Sequence, residues 1–184
     1  MIETWQGARE QADGPEQPAA AQYLCFWLGT QSYALPVGEV REIRAMGSWC
    51  SLPGSPAWVL GAMNLRGLVI PLIDLRIRFS IAPAAPGVAP VLIVATAGGK
   101  LAGLVVDGVM DVADIAHEAL RHGPEDEAAS VEARCVTGVA SLGDSVVIVL
   151  DAAALMSGPA AGGDESERRP GVDREGVSDV AMVR

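Results

Sequence analysis

The chain reads as an all-β protein, two small barrels of about five strands each packed on one core. Three observations predict this. Short apolar, β-branched runs recur at close spacing from residue 23 to residue 150. Several of the gaps between them carry two-residue hairpin signals, Arg66-Gly67, Gly98-Gly99 and Gly143-Asp144, where glycine or aspartate supplies the backbone freedom a tight reversal requires. The spacing also leaves no room for crossover helices and shows no long 3.6-residue period, which excludes parallel βαβ units and helical bundles.

The elements follow in order. Runs 23–28 and 32–37 flank Gly29-Thr30-Gln31 and form a first hairpin, and run 40–45 follows them. Runs 61–65 and 68–75 are apolar on both faces and meet at Arg66-Gly67, which presents a lone arginine at a hairpin tip. A proline-rich stretch, 82–90, then divides the strands into two groups of about five and is the expected boundary between the barrels. Beyond it, 91–97 and 101–106 flank Gly98-Gly99, 109–115 follows, and 135–142 and 145–150 flank Gly143-Asp144. Residues 37–44, 116–121 and 152–156 read as helical turns acting as connectors. The ends, 1–21 and 158–184, are rich in Gly, Pro, Ala, Asp and Glu, bury too little apolar surface to offset their ordering entropy, and are expected to be disordered tails around a folded region, 22–157.

Half of the residues are hydrophobic, enough for a buried core, and the net charge is -10. Mean hydropathy is positive. Yet Arg66, Pro71, Asp74, Pro90, Lys100 and Asp107 break the apolar runs well short of the ~18 residues a spanning helix needs, so no direct membrane insertion is expected. Lys100 is the single lysine, and without a basic cluster to neutralise phosphates, nucleic acid is not an expected partner. The first 22 residues lack the apolar stretch of a secretory signal, which predicts a cytoplasmic protein. Cys25, Cys50 and Cys135 form neither a C-x-x-C pair nor a ligand set with His117 or His122, and are expected to be buried free thiols.

Catalytic chemistry would show as a nucleophile beside a base, paired carboxylates or metal-ligand spacing, and the sequence offers none of these, so no enzyme activity, cofactor or metal is expected. Asp107, Asp111 and Asp114 are the densest acidic spacing, but in a β-rich run they mark a turn and a solvated strand face. His117 and His122 are expected at the surface. Gly98-Gly99-Lys100 precedes a strand pattern, and a phosphate loop needs a helix there. Arg66 is open between a solvated side chain and a partner of Asp74 or Glu42.

The segment Asn64-Leu65-Arg66-Gly67-Leu68-Val69-Ile70-Pro71-Leu72-Ile73-Asp74-Leu75-Arg76, with Leu104-Val105-Val106-Asp107-Gly108-Val109, Glu42-Ile43-Arg44, Thr137-Gly138 and Leu150-Asp151, resembles the CheW-like domain family, the coupling proteins of bacterial chemotaxis, without a gap over residues 22–157. The resemblance implies two five-stranded SH3-like barrels around a common hydrophobic core. It implies a non-catalytic adaptor between methyl-accepting chemoreceptors, bound at their cytoplasmic tip helices, and the regulatory domain of a CheA-type histidine kinase. Carried over by position, the receptor-facing set is Val40, Glu42, Gly61, Arg66, Val69, Val91 and Val112, and the kinase-facing set is Val37, Glu125 and Asp126. Each valine fits a core position equally well. Where the family commonly places an aromatic after its Pro-Glu, this chain has Asp126, which implies a weakened second kinase contact. Two rival readings are a related coupling protein whose pathway controls pili or second-messenger synthesis, and a small β-barrel enzyme or ligand carrier.

Overall fold

Strands dominate because most apolar runs are too short for helices and carry β-branched residues. The computed structural model describes residues 20–82, 89–122, 130 and 133–157. The strands are β1 (Ala20–Leu28), β2 (Gln31–Pro36), β3 (Val40–Ala45), β4 (Val59–Leu65), β5 (Leu68–Asp74), β6 (Val91–Ala97), β7 (Lys100–Val106), β8 (Gly108–Ala116), β9 (Arg121–His122), β10 (Val136–Leu142) and β11 (Ser145–Leu150). They form two sheets, ordered β8-β1-β2-β11-β10-β9 and β3-β6-β7-β5-β4. Below, these are the β1 barrel and the β5 barrel. Helical structure is confined to α1 (Leu75–Arg78), α2 (Ala152–Met156) and single 3-10 turns at Val37–Glu39, His117–Ala119 and Ala133–Cys135.

The alternation of side chains along each strand explains why the strands read as continuous apolar runs. On β1, Leu24, Phe26 and Leu28 face a central cluster while Tyr23 and Cys25 face the interior of their own barrel. On β6, Ile93 and Ala95 face the centre, and Leu92 and Val94 the interior of the β5 barrel. Both faces are covered, so neither needs polar residues. Phe26, Tyr33 and Phe79 stack in sequence at 6.1 and 5.8 Å, carrying the central core from the β1–β2 hairpin to the end of α1. The expected shared core between two SH3-like barrels is therefore present.

The expected boundary at 82–90 does not separate the barrels. The β1–β2 hairpin from the first half of the chain sits in one sheet with β8 to β11 from the second half, and the β6–β7 hairpin sits with β3, β4 and β5. Parallel ladders make the exchange: Val147, Ile148 and Val149 pair with Ser32, Tyr33 and Ala34, and Leu72, Ile73 and Asp74 with Gly103, Leu104 and Val105. Each barrel thus takes its hairpin from the opposite half. The two halves are nonetheless repeats of one another. Gly61 to Asp74 matches Gly138 to Asp151 without a gap, with glycine first, Leu65 and Leu142, Val69 and Val146, and aspartate last in common.

Shared structure explains the shared residues. Both glycines follow a register shift, and a Cβ at Gly61 would collide with the Cys50 carbonyl, while one at Gly138 would lie 2.6 Å from the Arg121 carbonyl. In each case a backbone segment, Cys50 or β9, crosses against the strand and excludes any side chain. Both aspartates cap a short helix, Asp74 accepting from the amides of Arg76 and Ile77 and Asp151 from Ala154.

Other expectations shift. The helical turn expected over 37–44 is 3-10 only at Val37–Glu39, because the rest is drawn into the β3–β6 ladder. Cys25 and Cys135 are buried, but Cys50 is exposed in the segment that bridges to Ala62. Burial, with the Asp111 charge adding to it, pushes the Cys25 thiol up. Among the described residues no helix is long and apolar enough to cross a membrane. The two expected tails fall outside the described residues, apart from Ala20 and Ala21, which belong to β1.

Candidate interaction groove

Arg66 sits in the left-handed region, φ 52°, and Gly67 follows at φ 89°. Two positive φ values in a two-residue loop are the I′ geometry whose twist matches the flanking strands. Asn64 supports it, its Oδ1 accepting from the Gly67 amide at 2.7 Å. An arginine gains nothing from this backbone: an L-residue there is strained by roughly 1–2 kcal/mol relative to the right-handed region. Strain of this kind is expected where a side chain must point in one direction.

The direction is across the mouth of the β5 barrel. The guanidinium donates through Nη2 to Glu42 Oε2 at 2.7 Å, joining the tip of the β4–β5 hairpin to β3. Strands β3 and β4 are the two edges of their sheet, so the pair closes the barrel at its rim. The Arg66 side chain is 81% exposed, and such a pair contributes ~0.2–1 kcal/mol, too little to matter for the fold. Its effect is to orient the arginine. Beneath it lies a groove of about 400 Å³, floored by Leu65, Leu68 and Leu101 and rimmed by Arg41, Glu42 and Arg66. An apolar floor beneath a charged rim suits one face of an amphipathic helix.

The receptor-facing residues implied by resemblance differ in exposure and in the barrel that carries them. Glu42 and Arg66 touch. Val69, two positions past the turn and paired with Asn64 across the hairpin, is 75% exposed. Val40 and Val91 are half-buried against the central core, Gly61 is buried by the crossing Cys50 segment, and Val112 is exposed on β8 in the other barrel, opposite Leu24. Of the kinase-facing residues, Val37 is half-buried on the central core, while Glu125 and Asp126 lie outside the described residues. His117 and His122 are exposed. Among the described residues no group of three or more His, Cys, Asp or Glu is placed to hold a metal ion.

The family model of the CheW-like domain matches residues 22–160. The chain belongs to the CheW-like family. It is 34% identical over 136 residues to the chemotaxis protein CheW of Klebsiella aerogenes, covering 74% of this chain and 81% of that one. It is also 34% identical over 136 residues to the probable chemotaxis protein CheW of Rhizobium etli, covering 74% of this chain and 87% of the relative. The crystal structure of the scaffolding protein TtCheW from Thermoanaerobacter tengcongensis superposes with a TM-score of 0.65 at 29% identity, covering 72% of this chain and 89% of the other.

In this CheW-family chain the sequence reading missed the groove floor and a second charged cluster. Leu65, Leu68 and Leu101 read simply as strand residues, although the position of Leu68 immediately after the Arg66-Gly67 turn was a signal in the sequence, and the structure exposes it by 58%. Arg76 was passed over as part of the motif. Its guanidinium holds Asp74 through Nε and Nη2 at 3.0 and 2.7 Å and Asp107 through Nη1 at 3.1 Å. Asp107 stands at the turn between β7 and β8 as expected, but it is buried and makes a structural ion pair. Arg78, also buried, lies 4.2 Å over the Trp58 ring and donates through Nη2 to the carbonyls of Ala154 and Ser157 at the end of α2.

Proposed function

We propose that this CheW-family chain is a non-catalytic adaptor that couples methyl-accepting chemoreceptors to a CheA-type histidine kinase, with the receptor's tip helix docking in the groove at the mouth of the β5 barrel. The observation that carries the reading is the Arg66 hairpin tip, where a strained backbone places a mostly exposed guanidinium over an apolar floor and a surface ion pair aims it. Neither the strain nor the pair serves stability. Both serve a side chain held ready for a partner, and a bound helix that covers the groove would desolvate the Glu42–Arg66 pair and strengthen it. The relatives' names, chemotaxis protein and scaffolding protein, support the same role.

Titration of a chemoreceptor cytoplasmic fragment into the purified chain and into Arg66→Glu tests this. The substitution sets a second carboxylate beside Glu42, and the loss expected for a hot spot is ~2 kcal/mol or more, about thirtyfold in Kd. Equal affinities would return Arg66 to an ordinary turn residue. Kinase docking is proposed to involve Val37, Glu125 and Asp126, and Asp126→Phe is expected to strengthen that contact while leaving receptor affinity unchanged.

A further inference from the structure

The repeat makes two places in the molecule equivalent. The chain passes from the β5 barrel to the β1 barrel at Asp107, between β7 and β8, and makes the reverse crossing at Val37–Glu39, between β2 and β3. Hairpin turns Gly29-Thr30 and Gly98-Gly99 correspond in the two ladders, as do the helices that follow Asp74 and Asp151. Position 76 therefore matches 153, 107 matches 38, and 29 matches 98.

These equivalent places are built differently. At the first crossing the Asp107 carboxylate is shared between barrels: Oδ2 accepts from the Gly29 amide at 2.6 Å, on the β1–β2 turn, and Oδ1 accepts from Arg76 on α1 of the β5 barrel. The Asp107 amide also donates to the Trp27 carbonyl at 3.1 Å. Arg76 is held in turn by Asp74, and the three side chains are only 5 to 16% exposed. At the second crossing the residues matching Asp107 and Arg76 are Gly38 and Ala153, which carry neither a carboxylate nor a guanidinium. A hollow of about 190 Å³ remains there, lined by Ala97, Gly98, Lys100, Ala153, Met156 and Ser157. Glu39 accepts from the Ala152 amide, yet its Oε2 is buried without a partner.

We propose that Arg76 is a positioning residue of the adaptor: its bridge from Asp74 to Asp107 clamps the two barrels at one crossing and, together with the ties of Arg78 and Glu39 to α2 near the other, sets their relative angle. The consequence for coupling rests on the function proposed above, since an adaptor that holds two partners on different faces transmits orientation only if its barrels keep a fixed angle. Shape of the molecule and coupling of its partners are read separately.

The test uses the full chain with Cys50→Ser and spin labels on cysteines at Val69 and Val146, equivalent exposed positions of the two barrels. Electron-spin distance measurement on Arg76→Met, which keeps most of the packing volume, should give an inter-label distribution at least twice as wide as that of the parent. Arg76→Lys, with one charge but no fork to span both carboxylates, should fall between them. An unchanged width in folded Arg76→Met overturns the proposal. Should neither variant fold, Gly38→Asp with Ala153→Arg installs the missing clamp, position 38 having open space for a Cβ, and the width should narrow; no narrowing overturns the proposal. In parallel, binary affinities of Arg76→Met for receptor fragment and kinase should stay within threefold, with receptor-dependent kinase activation falling at least tenfold. Retained activation with a broadened distribution overturns the coupling part. Absence of receptor or kinase binding by the parent defeats the function proposed above, and the distance result still decides the clamp.

Discussion

At the scale of single residues, Arg66 and Glu39 are both placed at a disadvantage, and each disadvantage is measurable. Arg66 occupies a left-handed backbone that asparagine tolerates better, and its ion pair is too exposed to compensate fully. Arg66→Asn should therefore leave thermal stability unchanged or raise it by up to about 1 kcal/mol, while receptor affinity falls as it does for Arg66→Glu. A melting curve and one titration check both halves of that statement. Glu39 is held above the ordinary carboxylate range, chiefly by burial and further by the Asp151 charge, against the opposing hydrogen bond from the Ala152 amide. A carboxyl with a raised folded pKa binds more protons folded than unfolded, so stability declines as pH rises from the ordinary Glu value, about 4.3, through the raised value, and is level above it. Glu39→Gln should accordingly raise the Tm at pH 7 and lose that advantage near pH 4, as thermal melts at the two pH values will show.

At the scale of elements, the hairpins were legible because two-residue loops carry their own chemistry. Turns at Arg66-Gly67, Gly98-Gly99 and Gly143-Asp144 all fall where glycine or aspartate signalled them. The short helix α1 was not legible: Leu75 to Arg78 continues an apolar run, and only the capping aspartate and the end of the β5–β7 ladder turn it. Gly61 likewise read as one end of a strand, and the reason for its glycine lies in a segment 11 residues earlier that packs across it. Gly61→Ala should destabilise by about 2 kcal/mol or more, because the obstruction is backbone and cannot rotate away. The same crossing segment leaves Cys50 at the surface, so an aromatic disulfide reagent should titrate one thiol rapidly in the native protein and the other two only on unfolding.

At the scale of the whole molecule, the exchanged hairpins make the two halves interdependent. Residues 20–82 hold β3, β4 and β5 but not the β6–β7 hairpin that must stand between β3 and β5 in their sheet. Fragments 20–82 and 89–157 expressed separately should each lack cooperative unfolding and native-like strand dichroism. Mixing them should restore both, and a fragment that folds alone would show that the parallel ladders are dispensable.

The sequence by itself determined the strand content, the turn positions, the apolar faces that make a shared core and the family, because these depend on local backbone preference, side-chain period and short motifs. It also placed Arg66 at a tip and named Glu42 as one of two partners. Only the tertiary structure decided which barrel each hairpin joins, because a parallel ladder between residues tens of positions apart leaves no local signal. The same holds for the charges. Asp107 and Asp111 look alike in sequence, yet one is buried between Arg76 and the Gly29 amide while the other bonds the Val112 amide at the surface, a difference set by which elements the crossing brings together.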